Sequence, residues 1–178
     1  MEFFYIQNIL DGDVVKFTWF VDKYKNMAFT IAFRITNNNE DAEEVVQDAF
    51  LKAYRSLHKF RQDAKFSTWL YKIVVNTSLS KIKNSKIFTQ QSELIDIEDI
   101  AIDNIEDAYQ RLTHSEQKKI IHEALGTMNI EDRLLLTLYY LQEISIDEIE
   151  EITGIRKENI KMKLHRARKK MYTSFQKK

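Results

Sequence analysis

In DAEEVVQDAFLKAYRSL, residues 41–57, apolar residues recur at spacings of three and four. This is the pattern of a helix that buries one face and leaves the other in water. It predicts a long amphipathic helix packed against a core through Ala42, Val45, Val46, Ala49, Phe50, Ala53, Tyr54 and Leu57.

Helical patterns lie on both sides of this segment. Residues 14–33, VVKFTWFVDKYKNMAFTIAF, follow a break at Gly12 and Asp13. TNNNED, residues 36–41, supplies capping residues for the next helix. HKFRQDAKF, residues 58–66, interrupts the pattern, and Ser67 or Thr68 is predicted to cap a further helix towards Lys83. The helix predicted within residues 14–33 should be buried through Val14, Phe17, Val21, Tyr24, Ala28 and Ile31.

The composition favours an all-α fold. The 178 residues include no proline and only three glycines, too few turn residues for most sheets with many tight turns. There are no cysteines, and the four histidines lie far apart, so no metal, cofactor or catalytic residue is expected and the chain is not expected to be an enzyme. No apolar run is long enough to span a bilayer, and the first residues lack a basic segment, so a cytoplasmic location is predicted.

The charges fall into blocks, although the net charge is zero. Two basic blocks, residues 52–86 and 156–178, lie on either side of an acidic segment at residues 87–110. We predict two small helical domains, residues 1–86 and 111–178, joined by an acidic linker at 87–110. Basic blocks are typical of proteins that bind a phosphate backbone, but a solvated lysine-rich surface would look the same.

The second half has the spacing of a helix-turn-helix. SEQKKIIHEALGTM, residues 115–128, predicts a helix that is buried through Ile120, Ile121, Ala124, Leu125 and Met128. EDRLLLTLYYLQE, residues 131–143, predicts a second helix that is mostly buried. A short helix, a turn at Gly154 and a basic helix follow. At about 100° per residue, the basic helix should pack inward through Ile160, Leu164, Ala167 and Met171. The opposite side is centred on Glu158, Met162, His165, Arg166 and Lys169, with Asn159 and Lys161 beside them. Such a face suits the DNA major groove, whereas an ordinary solvent-exposed helix is the alternative.

The same projection divides KFSTWLYKIVVNTSLSKIK, residues 65–83, into two faces. Leu70, Tyr71, Val74, Val75, Thr77, Ser78 and Ile82 are predicted to be buried, while a stripe of Trp69, Lys72, Asn76, Ser80 and Lys83 is predicted to point outward. Trp69 could be covered by a neighbouring helix or could stack on bases of single-stranded DNA. The pattern alone leaves both interpretations open.

These strings together resemble the extracytoplasmic-function sigma factors of bacterial RNA polymerase. DAEEVVQDAFLKAYRSLHKF and FSTWLYKIVVNTSLSKIK resemble the family's region 2, and the segment from ALGTM to RARKKM, residues 124–171, resembles region 4. The resemblance implies a promoter-specificity subunit that binds core polymerase through its clamp coiled coil and flap. It also implies binding of duplex promoter DNA at the −35 element and of single-stranded DNA at the −10 element. Members are often held inactive by an anti-sigma factor, which would be a further partner.

The resemblance also implies roles for individual residues. Contact with the −10 DNA is expected from Phe60, Arg61, Lys65, Phe66, Trp69, Lys72, Asn76 and Lys83. Contact with the −35 DNA is expected from Arg156, Asn159, Lys161, Met162, His165, Arg166 and Lys169. Contact with core polymerase is expected from Gln47, Asp48, Leu51 and Arg55.

The chain departs from the family pattern at three places. The family usually has a proline within the segment that reads TMNIE here, residues 127–131. It usually has a small residue at the position of Glu150, and Ser-x-Gly-Thr at the positions of residues 156–159. The third departure implies a −35 preference that differs from better-known members. A stand-alone helix-turn-helix regulator is the alternative function, and it would bind duplex DNA tightly without polymerase.

Overall fold

The computed structural model describes residues 1–84, 125 and 128–176, with side chains described as far as residue 170. Every regular element among these residues is helical, and the predicted all-α fold is confirmed. The helices are α1 (Glu2–Leu10), α2 (Phe17–Thr36), α3 (Asn39–Ser56), α4 (Phe66–Asn84), α5 (Ile130–Leu136), α6 (Ile146–Thr153) and α7 (Lys157–Gln176). Short 3₁₀ turns at Val14–Lys16 and Leu57–Lys59 and a π turn at Thr137–Leu141 adjoin them.

The described helices form two compact units, the first containing α1 to α4 and the second containing α5 and α7. Helices α2, α3 and α4 pack against one another and form the core of the first unit. Its fully buried side chains include Phe20, Ile31, Ile35, Leu57 and Leu70. Each such side chain contributes about 1.5–3 kcal/mol through the apolar area that it removes from water. Helix α3 contributes Ala42, Val45, Ala49, Phe50 and Ala53 to this core, as the amphipathic pattern of residues 41–57 predicts.

The loop before α3 is built as the sequence predicts. Asn37 ends α2 in the left-handed conformation, with a φ of 55°. The Asn38 side chain then accepts a hydrogen bond from the backbone N–H of Asp41 at 2.9 Å. This bond satisfies one of the amide groups that the first turn of a helix leaves unpaired.

Two details of the predicted helix boundaries are wrong. Val14 lies in a 3₁₀ turn and is 52% exposed, because the regular helix begins only at Phe17. Helix α4 begins at Phe66, so neither Ser67 nor Thr68 precedes it as a cap. Instead the amide of Trp69 already bonds to the carbonyl of Lys65.

Helix α1 has no counterpart in the sequence prediction. It packs on the rest of the unit through buried Ile6 and Ile9, and the ring of Tyr5 stacks on that of Trp19 at 4.7 Å between centroids. The carboxylate of Glu2 accepts hydrogen bonds from Lys23 and from the Tyr24 hydroxyl. The apolar pattern here spans less than three turns, which is too short to predict a helix from periodicity.

The second half of the chain contains the predicted helix-turn-helix, α6 and α7 with Gly154 between them at a φ of 74°. A left-handed conformation of this kind favours glycine, because a side chain would be strained there. Ser145 and Glu148 form a reciprocal capping box at the start of α6. The carboxylate of Glu150 accepts a hydrogen bond from the amide of Lys157, so this departure from the family pattern caps the second helix.

The leucine-rich segment forms the core of the second unit. Leu135, Leu136 and Leu138 are fully buried, as the prediction of a mostly buried helix requires, and Leu125 and Met128 are buried as well. The predicted linker, and the predicted core residues Ile120, Ile121 and Ala124, lie outside the described residues.

Candidate nucleic-acid interface

Helix α7 buries one narrow stripe. Ile160, Leu164 and Ala167 are at most 4% exposed, which confirms the predicted inward face. The side chain of Met171 lies outside the described residues. The stripe fixes the rotation of α7, so the residues opposite to it must point into solvent.

The lysines at the edges of this stripe are ion-paired. Lys157 bonds Asp147 of α6 at 2.5 Å, Lys163 bonds Glu131 of α5 at 2.7 Å, and a third pair, Lys170 with Asp132, measures 3.6 Å. The hydrogen bond that Lys157 donates to Asp147 raises the pKa of Lys157 above its ordinary value. These cations therefore attach α7 to its neighbours.

The outward residues of α7 differ from these lysines in their exposure and ion pairing. Lys161 and Arg166 are exposed and have no ion pair among the described residues. Arg156, Asn159 and Met162 are exposed too, and Met162 is 45% accessible despite being apolar. His165 and Lys169, also predicted to contact the −35 DNA, are half-buried. The predicted outward face thus combines free cations with a polar amide and an apolar side chain, the groups that contact phosphates and base edges.

Three aromatic rings cluster where the loop at residues 60–65 meets α4. Trp69 packs on Phe60 at 5.1 Å and on Phe66 at 5.5 Å between ring centroids, and Phe60 meets Phe66 edge to face. Trp69 and Phe60 are half-buried, so each ring leaves part of its surface open to solvent. We call Phe60 and Trp69 the aromatic platform.

Phe66 is not part of this open surface. It is 2% exposed and packs between Phe60 and the core ring of Phe20, 4.2 Å away. Phe66 therefore offers no accessible ring face for the DNA contact predicted for it. It supports the platform from beneath.

The outward stripe of α4 follows the prediction. Lys72, Asn76, Ser80 and Lys83 are exposed, whereas the seven residues assigned to the inner face, Tyr71 among them, are buried. Lys72 and Lys83 have no ion pair among the described residues. The neighbouring Lys81 differs, because it bonds Glu44 at 2.6 Å and Asp41 at 3.4 Å and so ties α4 to α3.

The loop at residues 60–65 places further polar groups beside the platform. Arg61 and Lys65 are exposed, and Arg61 forms a solvent-exposed ion pair with Asp63 at 3.3 Å. Gln62 adopts a left-handed conformation with a φ of 63°, which is uncommon for a residue other than glycine.

The outer face of α3 holds the residues predicted to contact polymerase. Gln47, Asp48, Leu51 and Arg55 are all exposed. Leu51 is the apolar member of this group and is 53% accessible. The sequence prediction missed another exposed apolar group, Phe3 and Phe4 of α1 with Val15 after it, although the adjacent aromatic pair is visible in the sequence.

The described residues contain no helix that is long and apolar enough to cross a membrane. Within the same part of the chain, no group of three or more histidine or acidic side chains is arranged to hold a metal ion.

Two family models match separate parts of the chain. Residues 20–86 match the family model described as Sigma-70 region 2, and residues 118–171 match the one described as Sigma-70, region 4. The chain is 31% identical over 172 residues to the ECF RNA polymerase sigma factor SigW of Bacillus subtilis, covering 92% of this chain and 90% of that protein. It is 26% identical over 178 residues to the ECF RNA polymerase sigma-E factor of Haemophilus influenzae, covering 96% and 93%.

Two solved structures share the fold. One is CnrH in complex with the cytosolic domain of CnrY, with a TM-score of 0.66 and 18% identity over 97% of this chain and 96% of that one. The other is the sigma factor RpoE of Bartonella quintana in complex with the anti-sigma factor NepR, with a TM-score of 0.65 and 21% identity over 90% and 96%.

Proposed function

This chain belongs to the extracytoplasmic-function sigma factors of bacterial RNA polymerase, and we propose specific surfaces by which it acts in transcription initiation. As a sigma factor it is an initiation factor and not an enzyme. In the proposal, the outward face of α7 binds the −35 duplex, the platform and stripe of α4 bind the single-stranded −10 DNA, and the outer face of α3 binds core polymerase.

The observation that supports the −35 assignment is that the lysines at the edges of the buried stripe of α7 are ion-paired, whereas a lysine on its outward face has no ion pair in the part of the chain that the structure describes. Lys163 is ion-paired with Glu131, whereas Lys161, two residues away, is exposed with no ion pair among the described residues. An unpaired cation on the outward face can neutralise a phosphate and release its counterions, which a lysine already held by a carboxylate does less well.

The assignment of the −10 surface rests on the aromatic platform. Phe60 and Trp69 present partly open rings, and Lys72 and Asn76 follow Trp69 on the same stripe. Ring faces stack on bases, cations hold phosphates and an amide can bond a base edge, which together form a site for a single strand. Opening the duplex costs a few kcal/mol per flipped base, and these contacts would offset that cost.

The partners follow from the same surfaces. We propose that Leu51 and its polar neighbours Gln47, Asp48 and Arg55 bind the clamp coiled coil of core polymerase, while the second unit binds the flap. An anti-sigma factor is a further proposed partner, since RpoE of Bartonella quintana was solved with one. A protein that works with polymerase is expected in the cytoplasm.

Run-off transcription with core polymerase tests the proposal. The wild-type protein should direct initiation on templates that carry genomic sites enriched by its holoenzyme. Lys161→Ala should weaken −35 binding about equally on all sequences and lower the slope of log affinity against log salt by about one.

Lys163→Ala is the matched control, since it removes the same charge from the same helix. It should cost up to about 1 kcal/mol of folding stability through its partly exposed ion pair, and change the salt slope less. No promoter-directed transcript on any enriched template, or equal salt slopes for the two variants, would contradict the proposed surface.

A further inference from the structure

Glu158 is the only acidic residue within residues 156–178, a segment that contains ten lysines and arginines. Its side chain is exposed in the first turn of α7 and has no ion pair among the described residues. Projected at about 100° per residue, it lies nearly opposite the buried stripe of Ile160, Leu164 and Ala167. Glu158 therefore lies at the centre of the proposed DNA-binding face, with Met162 one turn further along.

A carboxylate at this position can accept hydrogen bonds but cannot donate them. In the major groove, guanine presents two acceptors and thymine presents an acceptor and a methyl group, so both repel it. Adenine offers its N6 amino group as a donor, but its N7 acceptor lies beside that group and repels a carboxylate. Cytosine offers its N4 amino group without an adjacent acceptor, and the pairing of glutamate with cytosine N4 follows from this geometry.

Residues near the start of a recognition helix are the ones that reach base edges in helix-turn-helix proteins. Building on the proposed function, we propose that Glu158 is a specificity-determining residue that selects a cytosine in the −35 element by accepting a hydrogen bond from its N4 amino group. A negative charge among cations weakens binding to any phosphate backbone. Glu158 therefore favours a cognate site chiefly by penalising the other three bases.

A structural role would have a different signature. An acidic side chain in the first turn stabilises the helix through its dipole, and Glu158 also lies beside Lys157. That effect would alter the thermal stability of the second unit and leave the base preference unchanged. The two roles are separated by measuring base frequencies rather than affinity alone.

The experiment is selection of −35 sequences from a randomised duplex library by reconstituted holoenzyme, with wild-type protein, Glu158→Gln and Glu158→Ala. The wild type should enrich cytosine at one position by roughly 5- to 150-fold over the other bases. Glu158→Gln should shift that position towards adenine, because an amide can bond adenine N6 and N7 together. Glu158→Ala should lose the preference at that position only and bind unrelated sequences more tightly.

Glu151→Gln is the control, since it removes the same charge from an exposed side chain of α6. It should leave every base frequency unchanged. If Glu158→Ala retains the wild-type preference, or tightens binding to all sequences without altering any position, the inference is overturned while the sigma-factor assignment stands. If wild-type holoenzyme enriches no −35 sequence at all, both the inference and the proposed −35 surface fail.

Discussion

Removing the indole of Trp69 should impair promoter opening more than it impairs binding of polymerase. The half-buried ring packs on Phe60 at 5.1 Å, so Trp69→Ala removes one member of the platform and the support of the other. Base stacking on an aromatic ring contributes about 1–3 kcal/mol per base. The variant should therefore form roughly 5- to 150-fold fewer open complexes at equal holoenzyme concentration.

The assay is permanganate reactivity of −10 thymines in holoenzyme complexes, with polymerase binding measured separately by fluorescence anisotropy. Burial also gives Trp69 a share in folding stability. Full truncation of a buried tryptophan costs about 3–5 kcal/mol, so a half-buried one should cost about 2 kcal/mol. Circular dichroism at the assay temperature must show that the variant remains folded.

Two further variants separate stacking from stability. Trp69→Phe keeps a ring and should recover most of the opening activity. Trp19→Ala truncates the other tryptophan of the chain, which is also half-buried and stacks on Tyr5, so it should lower stability to a similar extent without affecting opening. Unchanged permanganate reactivity in Trp69→Ala, or an equal defect in Trp19→Ala, would refute the assignment of Trp69 to the melting surface.

Three other predictions concern polymerase binding and stability. Leu51→Asp should weaken binding to core polymerase at least about tenfold in a pull-down titration, as expected for a central interface residue; Leu10→Asp, which alters a similarly exposed leucine of α1, should not. Asn38→Ala should lower the free energy of unfolding by about 1 kcal/mol in urea titrations, because the cap of α3 is lost; an unchanged midpoint would contradict this. Burial opposes ionisation of Glu2, but hydrogen bonds from Lys23 and Tyr24 lower the pKa of its carboxyl group below the ordinary 4.5. The ionised carboxylate therefore stabilises the fold above pH 4.5, and this stabilisation is lost as the pH falls through the folded pKa. Glu2→Gln should reduce the loss of unfolding free energy on the acid side of the pH profile by less than about 1 kcal/mol. Parallel pH profiles of the variant and the wild type would contradict this.

Local periodicity accounts for most of what could be predicted. Helical geometry alone determines which residues share a face, so the division of α4 between buried Tyr71 and outward Lys72 was predicted correctly. The same rule located the buried stripe of α7. The Asn38 cap and the turn at Gly154 were also predictable, because a few adjacent residues determine them.

Contacts between distant residues could not be predicted in this way. Lys81 and Lys72 look alike in the sequence, yet one is bound to Glu44, 37 residues away, and the other is not ion-paired among the described residues. Lys161 and Lys163 differ in the same manner, through Glu131 at a separation of 32 residues. Which cations remain available for the proposed DNA contacts therefore depends on which carboxylates the packing of helices brings within reach.

Whether an aromatic ring has an accessible face also depends on contacts between residues that are distant in the sequence. The sequence placed Phe60, Phe66 and Trp69 close together, but it could not distinguish a ring covered by Phe20 from one open to solvent. Periodicity describes one helix at a time, and burial depends on the element that packs over it. The residue pattern thus specified the helices and their polar faces, while the packing of each helix against its neighbours specified which side chains on those faces are free to bind.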